Sequence, residues 1–293
     1  MIRMRRTIAA LIILTALSGA ARADFRHVKM GPRPRAMGSA FVGVADDANA
    51  IYWNAAGMIL IDRFEITGCR SSLYDVAELS NDYVAGGYNF NGRFAVGASW
   101  TRLELKDIYH EDTINLGVAA AVPRVDGLSA GAALKIFTLG APGYERYNDP
   151  AYEGSVNKAS LDLGLLYHSP DSVWSAGVVC YNVNEPKLQL LKTTGKPDPV
   201  YRDFALGASY MFSRLLLVSY DLRTRYGDFN NIIGRLGSEI WFFEAVALRG
   251  GFDRYNLSAG FALKGRRWQV DLALESHDDL GNSYLFGLTV RLP

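Results

Sequence analysis

From about residue 62 onward the chain alternates with a period of two. Ile114, Leu116, Val118, Ala120 and Val122 interleave with Thr113, Asn115, Gly117, Ala119 and Ala121. Leu161, Leu163, Leu165 and Tyr167 stand against Ser160, Asp162 and Gly164; Trp268, Val270, Leu272 and Leu274 against Gln269, Asp271, Ala273 and Glu275. Tyr284, Phe286, Leu288, Val290 and Leu292 close the series. Successive side chains on a strand point to opposite faces, so each segment has one apolar face and one small or polar face. Fourteen such segments can be placed, near residues 62–70, 80–90, 93–103, 112–122, 127–138, 158–168, 172–183, 202–212, 214–222, 231–242, 245–253, 256–264, 267–276 and 283–292. No long helical pattern interrupts them.

The connections sharpen this picture. Every second one is short: Asn91-Gly92, residues 123–126, Ser169-Pro170-Asp171, Ser213, Phe243-Glu244 and Gly265-Arg266. The others are mostly longer and more polar, as at 104–111, 139–157 and 184–201. Short turns at one end and long loops at the other predict an all-β fold, a transmembrane antiparallel β-barrel of about 14 strands. Phe90, Phe94, Tyr167, Trp174, Phe212, Trp241, Phe242 and Trp268 sit beside the short turns, as an interfacial aromatic girdle would. Lipid cannot satisfy an open strand edge, so the sheet must close, and an even strand number permits it.

If the apolar face meets lipid, the other face lines the lumen. That face carries Glu65, Asp162, Asp203, Glu239, Asp253, Asp271 and Glu275, and Arg93, Lys135, Arg235, Arg249, Lys264 and Arg291. Acids and bases in near balance predict mutually neutralising networks rather than a single-sign ion filter. Ala95, Gly97, Gly117, Ala119, Gly131, Gly207, Gly251, Gly260 and Gly287 share that face and leave room for an internal plug.

The first 61 residues are different in kind. Residues 1–23 combine Arg3, Arg5 and Arg6, an apolar run over 8–17, and a small-residue end at Ala21 and Ala23, which predicts a cleaved secretory signal peptide and a mature chain from about Asp24. The run is too short for a membrane anchor. Residues 24–61 form the candidate plug, or hatch, and 62–293 the barrel. Pro32 and Pro34 predict an extended start. The stretch from Ala36 to Ala45 is small and close-packing. Asp46 or Asp47 can cap a short helix through Ala48–Trp53, with Gly57 suited to a left-handed end.

The run Arg35-Ala36-Met37-Gly38-Ser39-Ala40-Phe41-Val42-Gly43-Val44-Ala45-Asp46-Asp47-Ala48-Asn49-Ala50-Ile51-Tyr52-Trp53-Asn54-Ala55-Ala56-Gly57 resembles the opening of the PorV/PorQ family, within the FadL-like outer-membrane transport proteins. The pattern is a small-residue stretch, an acid, then an aromatic residue leading to Asn-Pro-Ala-Gly. Here the usual Pro is Ala55. The residues carrying the resemblance are Arg35, Gly38, Ala40, Asp46, Asp47, Asn49, Trp53, Asn54 and Gly57. The FadL resemblance implies a hatch-plugged barrel that moves hydrophobic small molecules across the bacterial outer membrane, with the hatch gating. The PorV/PorQ resemblance implies the alternative, a type IX secretion component that binds or shuttles secreted protein cargo at the cell surface.

Composition then narrows the function classes. There are 31 Lys+Arg and 30 Asp+Glu, and removing Arg3, Arg5, Arg6 and Arg22 with the leader leaves 27 bases against 30 acids, a net charge of −3. No basic excess speaks for nucleic acid. Neither a nucleophile elbow, a zinc-protease helix nor a phosphate loop occurs, so no enzyme and no cofactor is expected. His27, His110, His168 and His277 share no metal-ligand spacing, and Cys69 and Cys180 fall on opposite walls of a barrel. Two long loops offer contact chemistry. Tyr144, Tyr147 and Tyr152 form a candidate partner loop. Leu188, Leu190 and Leu191, expected to be exposed, form a candidate capture loop for hydrophobic ligands. The expected surroundings are outer-membrane lipid around a monomeric barrel.

Overall fold

The computed structural model describes residues 29–147, 149–192, 196–254, 256–277 and 280–292. The signal peptide expected at 1–23 and the start of the hatch at 24–28 lie outside the described residues. The described residues open with two short helices, α1 (Pro32–Ala36) and α2 (Ala50–Trp53), and a 3-10 helix over Ala55–Leu60. The strands follow: β1 (Phe64–Ser72), β2 (Leu79–Phe90), β3 (Phe94–Leu105), β4 (Tyr109–Ala121), β5 (Leu128–Gly140), β6 (Val156–His168) and β7 (Trp174–Tyr181). A two-residue ladder, β8 (Lys187–Leu188) with β9 (Asp198–Pro199), interrupts them. Then come β10 (Asp203–Phe212), β11 (Leu216–Arg225), β12 (Asp228–Phe242), β13 (Val246–Asp253), β14 (Asn256–Lys264), β15 (Trp268–His277) and β16 (Gly281–Leu292).

Leaving out β8 and β9, fourteen strands pair antiparallel with their neighbours into a closed barrel. The seam is β1 with β16, from Phe64 opposite Leu292 to Ser72 opposite Tyr284. No ladder is left open, which is what a sheet in hydrocarbon requires.

The partition of side chains is inverted relative to a water-soluble protein. On β4, Leu116 is 49% exposed while its neighbour Asn115 is fully buried; on β15, Leu272 is 48% exposed and Asp271 only 1%. Large apolar surfaces of this extent have no favourable place in water. Facing acyl chains they are at home, and the polar faces meet one another inside.

Three expectations about the connections and the girdle are revised. The 104–111 loop shrinks to Lys106-Asp107-Ile108, with Asp107 in the left-handed region at φ 59°, because β3 and β4 run further than the apolar alternation does. The β11–β12 connection is only Tyr226-Gly227, so length at that end is concentrated between β5 and β6 and between β7 and β10. Trp241 points inward, under Arg249 (5.8 Å) and Lys264 (5.4 Å), whereas Phe90, Phe94, Trp174, Phe212, Phe242 and Trp268 are exposed on the outer wall.

The hatch folds inside the barrel. Pro32 and Pro34 start a helix instead of an extended segment. They occupy its first turn, where the missing N–H groups would have had no intrahelical acceptor. Gly31 precedes it at φ 82°, a conformation in which an added Cβ would lie 2.2 Å from Asn49 Oδ1. Neither Asp46 nor Asp47 caps the second helix: Asn49 is its N-cap, without a side-chain cap bond, and Asp47 Oδ1 instead accepts from Asn49 N (2.8 Å) and Nδ2 (2.9 Å). Gly57 does not end the helix with a left-handed turn. It lies within the 3-10 helix, and its need for glycine is spatial, since a Cβ there would sit 1.8 Å from Ala45 O.

The inverted partition predicts the response to a charge on the wall. Leu116→Arg should lower the unfolding free energy in lipid vesicles by about 2–4 kcal/mol, the cost of a base near the bilayer midplane. A change near zero in urea titrations would place Leu116 against water.

Candidate functional site

The site is the contact surface between hatch and wall, with the cavity on one side of it and the apolar cluster on the other. Its first component is backbone-close packing. An added Cβ on Gly251 would lie 2.0 Å from Gly38 N, on Gly131 2.2 Å from Ala56 N, on Gly207 2.6 Å from Gly43 N, and on Gly260 2.4 Å from Ala36 Cβ. Gly97 and Gly117 receive Met58 and Ile51 in the same way, and Gly287 receives Pro32. The small inward residues therefore seat the hatch, as their position on the lumen face implied. Gly38 is itself held at φ 58° and donates its N–H to Ser258 Oγ (3.0 Å).

The second component is hydrogen bonding of hatch backbone to wall side chains. Asp221 Oδ2 accepts from Phe41 N (2.7 Å) and Val42 N (2.8 Å), and Glu65 Oε1 accepts from Ala48 N (2.9 Å). Ser219 Oγ donates to Ala40 O (2.8 Å). In return Asn54 Nδ2 donates both to Val42 O within the hatch and to Leu165 O on the wall, each 3.1 Å, while Asn54 Oδ1 accepts from Ala56 N (3.2 Å). One buried side chain thus ends α2, starts the 3-10 helix and ties both to β6, which explains how the turn forms with Ala55 in place of Pro. Trp53 Nε1 donates to Met30 O (3.0 Å), and its ring lies 5.8 Å from the Arg235 guanidinium.

The third component is ionic. Arg33 makes a two-pronged contact with Glu239, Nε to Oε2 and Nη2 to Oε1, both 2.9 Å, and also meets Asp46 and Asp47. Arg35 Nη2 reaches Glu275 Oε2 at 2.7 Å, and Lys29 joins the same carboxylate and Asp253. Behind them Arg249 bridges Glu239 (2.6 Å) and Asp271 (2.5 Å), Arg235 meets Asp253 (3.4 Å), and Arg291 meets Glu65 (2.7 Å). Elsewhere Lys135 pairs with Asp162 (2.6 Å), and Asp203 with Arg223 (3.1 Å). The expected lumen charges thus form paired networks, except two. Arg93 is exposed in the turn after Asn91-Gly92, outside the lumen, because β3 begins one residue later than the alternation suggests. Lys264 is exposed at the short-turn mouth.

Sequence reasoning missed Lys29, Arg33, Asp221 and Arg223. Asp221 was legible in principle, since it is the acid in an otherwise apolar stretch of β11. Lys29 and Arg33 carry no pattern that separates them from surface bases.

A cavity and a covered apolar cluster flank the hatch. Toward the short turns lies a cavity of about 290 Å³ whose walls include Arg33, Asp46, Glu65, Trp241, Lys264 and Arg291. At the long-loop end Leu188 is buried at 2% exposure, packed with Phe137, Leu139 and Val200 beside Leu190, so the leucine loop is folded inward rather than exposed. The short β8–β9 ladder turns that leucine under the loop. The tyrosine loop joins it through the Tyr152–Leu191 bridge and the Lys192 N to Ala151 O hydrogen bond (2.7 Å). Tyr144 packs edge-on against Tyr152 and at a tilt against Tyr147, both at 5.6 Å, and Tyr147 is 62% exposed. The Ala151 N–H and the Tyr144 hydroxyl hold the Asp149 carboxyl below its usual range. The two loops are one lid over one apolar cluster.

Two substitutions test the seating. Gly251→Val should displace the hatch at Gly38 and cost about 1–3 kcal/mol, while the barrel keeps its heat-modifiable mobility on gels. Asp221→Leu strips two buried N–H groups of their acceptor and should cost about 1–3 kcal/mol for each. Asp221→Asn keeps an acceptor oxygen and should retain most of the protection of Phe41 and Val42 against amide exchange; equal exchange in both variants would remove Asp221 from the seating.

Neither a family model nor a curated protein sequence matches the chain. Solved structures do. A monoaromatic hydrocarbon channel, CymD, superposes with a TM-score of 0.66 over 92% of this chain and 99% of that one, at 13% identity. The Ralstonia pickettii toluene transporter TbuX gives 0.63 over 90% and 98%, at 16% identity. A Pseudomonas aeruginosa FadL homologue gives 0.57 over 89% and 97%, at 12% identity. The chain therefore has the fold of the FadL-like barrels over about nine-tenths of its length.

Proposed function

We propose that the protein lies in the bacterial outer membrane and conducts small hydrophobic molecules from the cell surface inward, the hatch shifting to let them pass. The observation that carries this reading is the architecture. A fourteen-stranded barrel holds an internal hatch between an apolar cluster under a lid at one end and an open cavity at the other. Channels and transporters for monoaromatic hydrocarbons and toluene share the barrel fold over nine-tenths of the chain, which supports the reading. In this reading Leu188 and its neighbours take up the solute from the outer face. The hatch then yields along its apolar side, where Met58 and Ile51 pack on Gly97 and Gly117, and pivots about the grip of Arg33 and Arg35 on Glu239 and Glu275. The lumen itself suits no ion pathway, because its acids and bases are spent on one another.

The second reading, a type IX secretion component that holds protein cargo, is favoured by the PorV/PorQ-like hatch run and by the tyrosine cluster with Tyr147 outermost. Such a cluster can bury against a protein surface. Co-purification of exported proteins sharing a C-terminal sorting domain would support it over transport.

Radiolabelled toluene supplied to vesicles with a lipopolysaccharide outer leaflet provides the test. Wild-type protein should raise the initial uptake rate several-fold over empty vesicles. Deletion of residues 36–57 should change that rate while leaving the barrel folded. Uptake equal to empty vesicles would sink the transport reading, and identical rates with and without residues 36–57 would sink hatch gating. Density-gradient fractionation of cells, with the protein expected in the outer-membrane band, checks the location separately.

A further inference from the structure

The short-turn end of the barrel is electrically lopsided. Three of its turns stand side by side, because β11 pairs with β12 and β13 with β14: Ser213-Arg214-Leu215, Phe243-Glu244-Ala245 and Gly265-Arg266-Arg267. Arg214, Arg266, Arg267 and the adjoining Lys264 are all exposed. No ion pair within 4.0 Å engages any of the four among the described residues. Glu244 is the sole acid in the three turns. The rest of that rim mixes its signs, with Asp62, Asp126 and Asp171 set among Arg63, Arg93 and Arg124.

In the middle of the basic arc stands Phe243. It is 96% exposed, the highest value for a large apolar side chain among the described residues. Its φ is 52° and that of Glu244 is 56°, in a turn closed by Ala245 N donating to Phe242 O (3.0 Å). Glycine or asparagine is the ordinary occupant of such a left-handed position, and a bulky side chain there is an outlier. The barrel gains no packing from this phenylalanine, so its presence asks for a contact outside the chain.

One edge of the arc reaches the mouth of the barrel. Phe242 is the last aromatic on the outer wall, and Phe243 lies one residue past it. Lys264 and Trp241 point inward, 5.4 Å apart, and line the cavity together with Arg291. The patch therefore runs from the turn tips onto the rim of the opening.

We propose that this arc is a docking surface for a soluble periplasmic protein with an acidic face around an apolar pocket. Phe243 fills the pocket, and Arg214, Arg266 and Arg267 meet the surrounding carboxylates. An exposed aromatic among four bases and one acid, Glu244, can serve as a binding anchor within a steering field. The proposal rests on the outer-membrane placement above for which compartment the arc faces, and on nothing about what the barrel conducts.

The test begins with a photo-crosslinking phenylalanine analogue at position 243 in cells of the native host. One predominant adduct with an acidic periplasmic protein is expected, and it should vanish when Arg266→Glu and Arg267→Glu are combined. That protein, purified, should bind the barrel in nanodiscs. Its Kd should rise about tenfold or more with Phe243→Ala and with the paired charge reversal, and rise again with added salt. Every variant is first checked for heat-modifiable mobility, so that loss of binding is not loss of the barrel. Phospholipid adducts alone would overturn the proposal in favour of inner-leaflet anchoring. A protein adduct indifferent to both substitutions, or no protein adduct from a correctly inserted barrel, would also overturn it. Fractionation placing the barrel in another membrane would instead remove the compartment assignment, a separable result.

Discussion

The closest constraint in the molecule is the distance between hatch backbone and barrel wall. At Gly131, Gly207 and Gly251 the two backbones approach until no Cβ fits between them. A hatch seated that tightly cannot rely on water to satisfy its peptide groups, so the wall must supply partners. Asp221, Glu65, Ser219 and Ser258 do so, each reaching a hatch N–H or carbonyl. Conversely, the hatch can carry Arg33 and Arg35 into the barrel only because Glu239 and Glu275 await them. Removing one member of such a pair leaves a bare charge and costs several kcal/mol. Glycine seating, backbone acceptors and ion pairs are thus three consequences of one close approach.

The same approach accounts for the inverted partition of the wall. A barrel of fourteen strands encloses more volume than its own inward side chains fill when many of them are Gly and Ala. The hatch supplies the missing volume with Met37, Phe41, Ile51, Trp53 and Met58, which form the main apolar cluster of the protein. The core of this membrane protein is therefore assembled from hatch side chains, while the strands spend their large apolar residues on lipid.

The strand count and the lumen face were legible because period-two alternation is imposed by lipid on one side and the plug on the other, with nothing between to blur it. The glycine positions pointed to an internal occupant for the same reason. Legibility ended where local rules have two solutions. Pro32 and Pro34 fit an extended chain or the first helical turn equally well, and only the docking of Arg33 and Arg35 on β12 and β15 selects the helix. Trp241 sits beside a short turn like its girdle neighbours, but its parity on β12 turns it inward to two cations. Leu188 looks like an exposed leucine in a polar loop until β8 and β9 fold it beneath. Arg33 could not have been told from a surface arginine, since its three carboxylate partners come from sequence-distant Glu239 and from a turn of the hatch.

The hatch is held differently on its two flanks, and that difference bears on how it could ever move. Toward β3 and β4 the contacts are apolar, Met58 and Ile51 against Gly97, Gly117 and the alanines beside them. Toward β12, β13 and β15 they are ionic, Arg33, Arg35 and Lys29 against Glu239, Asp253 and Glu275. An apolar solute arriving from the lid replaces contacts on the first flank with contacts of the same kind, and so can wedge there at little cost. The ionic flank resists it, because separated charges regain their stability only when water reaches them. Water stands closest to that flank in the cavity at the short-turn mouth, which Arg33, Asp46 and Glu239 line. A hatch opened by solute would therefore pivot about its ionic grip when the load comes from the lid, and release that grip only from the side of this cavity.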